Sequence, residues 1–420
     1  MMTKQKIYTC IDLKSFYASV ECVERGLNPF EVNLVVADPT RGGGAITLAA
    51  TPAIKKLGVP SRGRVYEIPK DIIYITAPPR MSLYMKYSAK IYSIFLKYIA
   101  PEDIHVYSCD ESFIDVTPYL SLYNMTAKQL AKTMIQDIYD TTGITATAGI
   151  GTNLFLTKVA LDITAKHAPD NMGYLDEDLF KQMLWHHTPL TDFWMIGGGT
   201  ERRLAALGIK DLYDLAHYPE GYLYKTFGVN AEYLIDHAWG KEPTGIADIK
   251  AYKPASKSIS NSQILFEDYC YEDAYIVMKE MVDANVLTLT ERHLVTNHLS
   301  LYIGYSKDVI RPSNGSVKIT NTTNSYKLLL EEFERLFKKI VNPQYPIRRI
   351  GVGFGNVKNE IYEQYDLFAD YEDLRKEKKL QECLVEVRGK YGKNAALKGI
   401  SYLDHATARK RNTLIGGHNA

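Results

Sequence analysis

The stretch VYSCDESFIDVT, residues 106–117, sets an adjacent acidic pair, Asp110 and Glu111, inside what otherwise reads as two short apolar strands and a turn. Neighbouring side chains on a strand point to opposite faces. The pair is therefore either a solvated hairpin turn, the commoner use of acids at such a place, or two carboxylates aimed past a kink at one charge. Which of the two holds decides whether the flanking strands form an ordinary hairpin or the centre of a site.

Working outward, KIYTCIDLKSFYASVECVERGL begins with a strand over 7–13 and turns at once into a helix whose expected N-cap is Ser15. Asp12 then lies at the carboxyl end of a strand, just before a positive helix terminus. Phe16, Val20 and Val23 follow the spacing i, i+4, i+7 and face the core, while Tyr17 is rotated one step toward the border of that stripe and reads as a wall. Gly and Pro punctuation from 26 to 79 (RGGG, ATPAIKKLGVPSRGR, APPR) marks a small inserted lobe. Beyond it come the periodic helix MSLYMKYSAKIYSIFLKYIA, strands over 104–108 and 112–117, a helix near 127–140 and the strand ITATAGIG. The order β-α-(insert)-α-β-β-α-β predicts a ferredoxin-like sheet with helices on one face.

A chain of 420 residues, 46% hydrophobic and 24% charged, is long enough for two or more domains with their own cores. No run approaches the roughly 20 apolar residues of a membrane span. The start, MMTKQKIYTCIDL, has too short an apolar stretch for a signal peptide, so the expected location is cytoplasmic. Five scattered cysteines without CxxC spacing argue against a disulfide framework or a zinc knuckle, and Cys10 and Cys109, though close to acids, read as small core residues. A net charge of +1 means that any nucleic-acid binding must come from local basic surfaces.

Further along, NLFLTKVALDITAKHA is a helix, and in DFWMIGGGTERRLAALGIKDLYDL a Gly-rich turn joins two short helices packed through Leu204, Leu207 and Leu212. This has the form of a helix-hairpin-helix, whose exposed N–H groups take a phosphate without reading sequence; an ordinary connector has the same pattern. After the polar stretch GKEPTGIADIKAYKPAS, strand 257–265, helix 271–292, strands 297–306 and 315–320, helix 325–340 and strand 348–354 give β-α-β-β-α-β a second time. The tail holds a helical pattern with Leu380, Leu384 and Val387. From 388 to 411 it carries seven Lys or Arg (388, 390, 393, 398, 409, 410, 411) against Asp404 alone, either a solvated surface or a phosphate contact.

If the first unit is one sheet, Asp12 and the pair Asp110 and Glu111 converge. Three carboxylates within about 4 Å repel by roughly 4 kcal/mol per pair at an effective dielectric near 20 and are tolerable only around a shared cation. Oxygen-only donors favour Mg²⁺. Two such ions about 3.5–4 Å apart activate a 3′-hydroxyl and stabilise a leaving pyrophosphate, so the expected reaction class is nucleotidyl transfer. Lys55 on the inserted lobe and Lys158 on the helix after the sheet are the placed candidates for triphosphate cations.

IDLKSFYASVE, SCDESFIDVT, NLFLTKVALDITAKHA, WMIGGGTERRLAALGIKDL and IRRIGVGFGNV occur in the order and spacing of a Y-family (translesion) DNA polymerase, which the chain resembles over residues 5–358. The tail looks more like the UmuC-type (ImpB/MucB/SamB-like) branch of Gram-positive bacteria and their mobile elements than like polymerase IV. The resemblance implies an α/β right-hand polymerase: a ferredoxin-like palm (1–25 and 80–167), small fingers (26–79), a helix-hairpin-helix thumb (168–240), a linker (241–256), a β-α-β-β-α-β little finger (257–358) and a C-terminal tail (359–420). It implies error-prone, template-directed translesion synthesis in the DNA-damage (SOS) response, with two Mg²⁺ ions held by Asp12, Asp110, Glu111 and the Leu13 carbonyl. Phe16, Lys55 and Lys158 fall on nucleotide-binding positions, and Tyr17 on the steric gate that excludes a ribose 2′-hydroxyl. Gly197, Gly199, Thr200, Lys257, Ser258 and Arg348 fall on DNA-binding positions. QYDLF, 364–368, resembles the peptide that docks bacterial polymerases on the sliding clamp through Gln364, Leu367 and Phe368. Implied partners are primer–template DNA, dNTP, the sliding clamp and RecA or an UmuD-like subunit, with no membrane.

Two departures stand out. Lys14 replaces the Asp or Asn that many relatives carry two residues after the first catalytic Asp, and AATPAIKK lacks the fingers tyrosine. Lys14 keeps open a catalytically decayed accessory protein that binds DNA and the clamp, whereas the intact carboxylates weigh against it. A nucleotidyl cyclase would share the palm and metal pair but has no use for the helix-hairpin-helix or the second α/β unit.

Overall fold

The computed structural model describes residues 5–361 and 371–420, which divide into two compact units, residues 1–252 with 418–420 and residues 253–417. The boundary falls inside the polar stretch that separates the two α/β patterns.

The first unit is built on β1 (Tyr8–Leu13), which reads as a nearly continuous apolar run because it is covered on both faces. It leads into α1 (Phe16–Glu24); the inserted lobe then holds β2 (Leu34–Val36), β3 (Ala49–Ala50), α2 (Pro52–Lys56) and β4 (Ile75–Ala77), with its own small sheet in the order β3-β2-β4. The chain returns through α3 (Met81–Phe95), β5 (Ile104–Val106), β6 (Glu111–Asp115), α4 (Thr117–Tyr123), α5 (Ala127–Thr142), β7 (Ala146–Gly151), α6 (Leu154–Val159) and β8 (Met172–Leu175). The main sheet runs β5-β6-β1-β7-β8. Its limits are set locally. Thr126 and Gln129 form a capping box at the start of α5, and Gly143 at φ 70° ends it.

Two features differ from the sequence expectation. The sheet has a fifth strand, β8, parallel to β7 and connected to it through α6, within the stretch assigned to the helical module. Helices also cover both faces. Ile11 and Leu13 of β1 pack with α3 and α5, while Tyr8 and Cys10, on the alternate face, pack with Leu154 and Leu161 beside α6. The close seating of α6 depends on Gly149 of β7, where a Cβ would lie 2.2 Å from the Thr157 carbonyl. Five helices follow: α7 (Glu177–Leu184), α8 (Gly198–Ala206), α9 (Leu212–His217), α10 (Glu220–Phe227) and α11 (Ala231–Ala238). They enclose a core that includes Leu204 and Leu212, and α12 (Ile246–Ala251) closes the unit.

The second unit contains β9 (Ile259–Tyr269), α13 (Tyr271–Glu291), β10 (Leu294–Tyr305), β11 (Ser313–Thr323), α14 (Tyr326–Ile340), β12 (Ile347–Gly355), β13 (Lys358–Asn359), α15 (Tyr371–Tyr391) and α16 (Ala408–Arg411). The sheet order is β11-β10-β12-β9. Alternate residues of the four strands pack under α13 and α14, including Leu265, Leu301, Ile350 and Val352.

The described part of the tail up to residue 417 belongs to this unit. Glu280 of α13, 3% exposed, accepts hydrogen bonds at Oε2 from the amides of Thr407 (2.7 Å) and Ala408 (3.0 Å). Gln263 of β9 accepts from Arg411 Nη1 (3.1 Å) and donates to Thr407 Oγ1 (3.0 Å). Arg388 and Lys398 both pair with Asp283 of α13. Three of the seven tail cations are thereby used inside the unit, so the choice between solvated surface and phosphate contact concerns only the other four. Because Glu280 anchors α16 through charge-assisted bonds in a dry setting, Glu280→Ala is expected to destabilise the second unit by roughly 3 kcal/mol. Denaturant unfolding followed by far-UV circular dichroism checks this, and an unchanged midpoint would contradict the anchoring role.

Candidate active site

Antiparallel pairing of β1 with β6 places Asp12 directly opposite Glu111, so both side chains leave the same face of the sheet, the one shared with Cys10 and α6. Asp110 precedes β6 in the turn after β5, and its carbonyl accepts the Leu13 amide at 2.9 Å, which holds the turn against the end of β1. Ser108 Oγ donates to Asp110 Oδ1 at 2.5 Å and fixes that carboxylate's orientation. The solvated-hairpin alternative does not describe this arrangement: Asp110 and Glu111 are both partly buried, and their charges act on Asp12.

The crowding has an electrostatic signature. Burial, then the charges of Asp110 and Glu111, push the Asp12 carboxyl up to about 7, against the opposing pull of Lys158. Glu111 is turned toward Lys158 of α6, whose ammonium lies 2.8 Å from Oε1 and 3.1 Å from Asp162. Burial disfavours the Lys158 charge, but Glu111 and Asp162 outweigh it and raise its proton affinity. Cys10, fully buried, donates its thiol to the same Glu111 oxygen at 3.1 Å. Among the described residues no three acidic, imidazole or thiol side chains converge on one point as they stand. The donor chemistry nonetheless fits a hard divalent cation: three carboxylates, one of which burial and the charges of the other two raise to about 7.

Tyr17, on the rim of α1, stacks on Tyr84 of α3 with ring centroids 4.4 Å apart and planes 16° from parallel. Its hydroxyl is hydrogen-bonded to Cys109 Sγ at 3.2 Å. Tyr84 is itself anchored, donating to Glu21 (2.8 Å), a fully buried carboxylate that also takes both arms of Arg80 and a nitrogen of Arg25. Sequence reasoning reached Tyr17 through its off-stripe position but not Tyr84, Glu21, Cys109 or Asp162. Only the i, i+4 spacing of Lys158 and Asp162 was readable in advance.

Ser15 occupies the N-cap of α1 in a left-handed conformation, yet its side chain makes no cap bond; its hydroxyl instead accepts Lys55 Nζ at 2.9 Å. Lys55, whose proton affinity burial lowers, thus stands at the start of α1. Lys14 donates to the Asn171 side chain, so its ammonium has a partner other than the carboxylates. Phe16 is 2% exposed and belongs to the core, leaving only its backbone for a ligand. Gly197 caps α8, and open space surrounds the Cα positions of Gly197, Gly198 and Gly199, with Thr200 one turn in.

On the second unit, the sheet face away from α13 and α14 carries Ser260, Ser262, Ser300, Tyr302, Asn314 and Ser316 with Gly351 and Gly353 between them. Arg349 shares this face, its guanidinium over the Tyr302 ring at 5.2 Å. Arg348 instead pairs with Asp268 at 3.5 Å. Lys257 and Ser258 are exposed just before β9. Gln364, Leu367 and Phe368 lie outside the described residues.

Known proteins resemble this chain over nearly its whole length. The impB/mucB/samB family matches residues 11–162 and its C-terminal domain residues 256–367. "Putative UV-damage repair protein UvrX" of Bacillus subtilis (strain 168) is 32% identical, over 99% of this chain and 98% of its own length. "DNA polymerase IV 2" of the same organism is 29% identical over 99% and 100%. Among solved structures, the "Y-family DNA polymerase chimera Dbh-Dpo4(243-245)-Dbh" shares the fold, with a TM-score of 0.65 at 22% identity over 84% of this chain and 99% of that one.

A carboxyl raised from 3.8 to about 7 favours the folded state while protonated. The ion-free protein therefore loses stability as pH rises across that window, and a bound divalent ion restores it. The ion must displace the Asp12 proton, so its affinity is expected to fall about tenfold per pH unit below 7. Calorimetric titration with Mn²⁺ at pH 6 and pH 8 checks this; equal affinities would contradict it.

Proposed function

The chain belongs to the impB/mucB/samB family of Y-family DNA polymerases, and from that premise we propose how its own residues divide the work. It is a DNA-directed DNA polymerase of the translesion type, acting on primer–template DNA and dNTPs with a divalent metal cofactor. The observation that carries the assignment of roles is the strand register that sets Asp12 opposite Glu111 with Asp110 tied to the end of β1. No described helix is long and apolar enough to cross a membrane.

In this reading residues 1–25 and 80–167, extended by β8, are the palm, 26–79 the fingers, the helices up to 240 the thumb and 257–358 the little finger. Asp12, Asp110 and Glu111, with the Leu13 carbonyl, hold two Mg²⁺ ions. Those ions, when bound, lower the barrier for the primer 3′-hydroxyl oxygen to form a bond with the α-phosphorus as pyrophosphate leaves. Lys158 neutralises Glu111 in this structure, and it turns to the triphosphate when the carboxylate is otherwise satisfied. Lys55, at the start of α1, meets the same phosphates. Tyr17, stacked on Tyr84, presents a fixed wall to the sugar, so that a 2′-hydroxyl has no room. Gly197, Gly199 and Thr200 offer backbone N–H groups to a DNA phosphate, and the open sheet face, with Lys257 and Ser258 at its approach, lies along the duplex. Lys14 donates to Asn171 rather than to the carboxylates, and the three intact acids weigh against a decayed accessory protein.

QYDLF, 364–368, is proposed to dock on the sliding clamp. Synthesis that appears only on adding RecA or an UmuD-like subunit would identify that protein as an activating partner.

The direct test is gel-resolved primer extension on undamaged and abasic templates. Asp110→Ala is expected to cut extension by about 10²-fold or more, and undiminished extension would refute the site. Tyr17→Ala is expected to raise ribonucleotide insertion relative to deoxynucleotide insertion about tenfold or more; an unchanged ratio would remove Tyr17 from the gate. Leu367→Ala with Phe368→Ala should abolish stimulation by added clamp while leaving distributive synthesis in place.

A further inference from the structure

β9 is an edge strand of the second sheet, and the tail packs beside it: α16 sits against β9 and α13, locked by Glu280, Gln263, Thr407 and Arg411 on the helix side of the sheet. Arg409 and Lys410, within α16, are both exposed. Leu265 of β9 points into the core, so Phe266, the neighbouring residue, points outward and is 40% exposed. Lys410 reaches round the edge and holds its ammonium 4.0 Å from the centroid of the Phe266 ring. Arg409 lies over Tyr402 at 5.1 Å.

Among the described residues neither cation has a carboxylate within ion-pair distance, and each is held by an aromatic ring. A ring fixes the direction of a cation without neutralising it. The same device recurs on the open sheet face, where Arg349 lies over Tyr302. Of the acids on the outer part of β9, Glu267 faces His405 (3.4 Å) and Asp268 pairs with Arg348 (3.5 Å), while the tail's own Asp404 is exposed.

We propose that the tail extends the DNA-binding surface of the second unit around its β9 edge, with Arg409 and Lys410 contacting backbone phosphates of the duplex that lies along the open sheet face. This rests on the reading of that face as a DNA surface. The tail is then a structural brace that also adds two oriented, sequence-independent phosphate contacts, which raise affinity without changing which bases are copied.

The test uses the full chain and a fluorescein-labelled primer–template duplex, with affinity measured from low to moderate salt. Each phosphate contact contributes about 0.9 to the slope of log affinity against log salt. Arg409→Ala with Lys410→Ala is expected to lower that slope by about 1.8, and Arg409→Lys with Lys410→Arg to retain it. Arg349→Ala is run in parallel as the control for the open face. If Arg349→Ala lowers the slope and the tail variant does not, the tail lies off the DNA path and the proposal is overturned. If neither variant changes the slope, the open face is not the DNA surface, and both readings fall together.

Discussion

Antiparallel pairing of β1 with β6 is the constraint on which the site depends. It is a backbone ladder, indifferent to charge, that sets Asp12 opposite Glu111 and brings Asp110 against the end of β1. A slip of one residue would send Asp12 and Cys10 to the face packed by α3 and α5 and move Ile11 and Leu13 out of the core. Packing on the two faces of β1 therefore enforces an electrostatically unfavourable cluster: burial of Ile11 and Leu13 under α3 and α5 and of Tyr8 and Cys10 under α6 fixes the register, and the register fixes the carboxylates. Lys158 relieves part of the repulsion, and the close seating of α6 on Gly149 brings it within reach.

Rigidity around Tyr17, proposed as the wall against the sugar, has a parallel origin. Tyr17 is only partly buried and would be free to turn, but it is stacked on a tyrosine anchored in a buried salt-bridge cluster around Glu21. Buried pairs of this kind add little net stability, and their value lies in fixing one arrangement. Discrimination between sugars needs a surface that does not yield.

Much of this was legible in the sequence, for identifiable reasons. Period-two and helical patterns located nearly all strands and helices of both α/β units, and the spacing of acids around apolar strands pointed to Asp12, Asp110 and Glu111. β8 was missed because MGYL is short and lies among polar turn residues, and its pairing with β7 is long-range only through an intervening helix. The helix after β7 was read from the sequence, but its seat on the second sheet face was not, because the close approach that the glycines at 149 and 151 admit leaves no periodic pattern. Contacts between distant side chains, such as Cys109 with Tyr17 or Glu280 with the tail, leave no local pattern. The basic tail read as a charge run because its burial partners lie on α13, more than a hundred residues earlier.

The central claim is that the β1–β6 carboxylates hold the ions of nucleotidyl transfer. Counting bound Mn²⁺ by electron paramagnetic resonance, in a complex of the full chain with a dideoxy-terminated primer–template and the matching dNTP, tests it most directly. The account predicts two ions per chain in the wild type and fewer in Asp110→Ala. The same count in both proteins would contradict it.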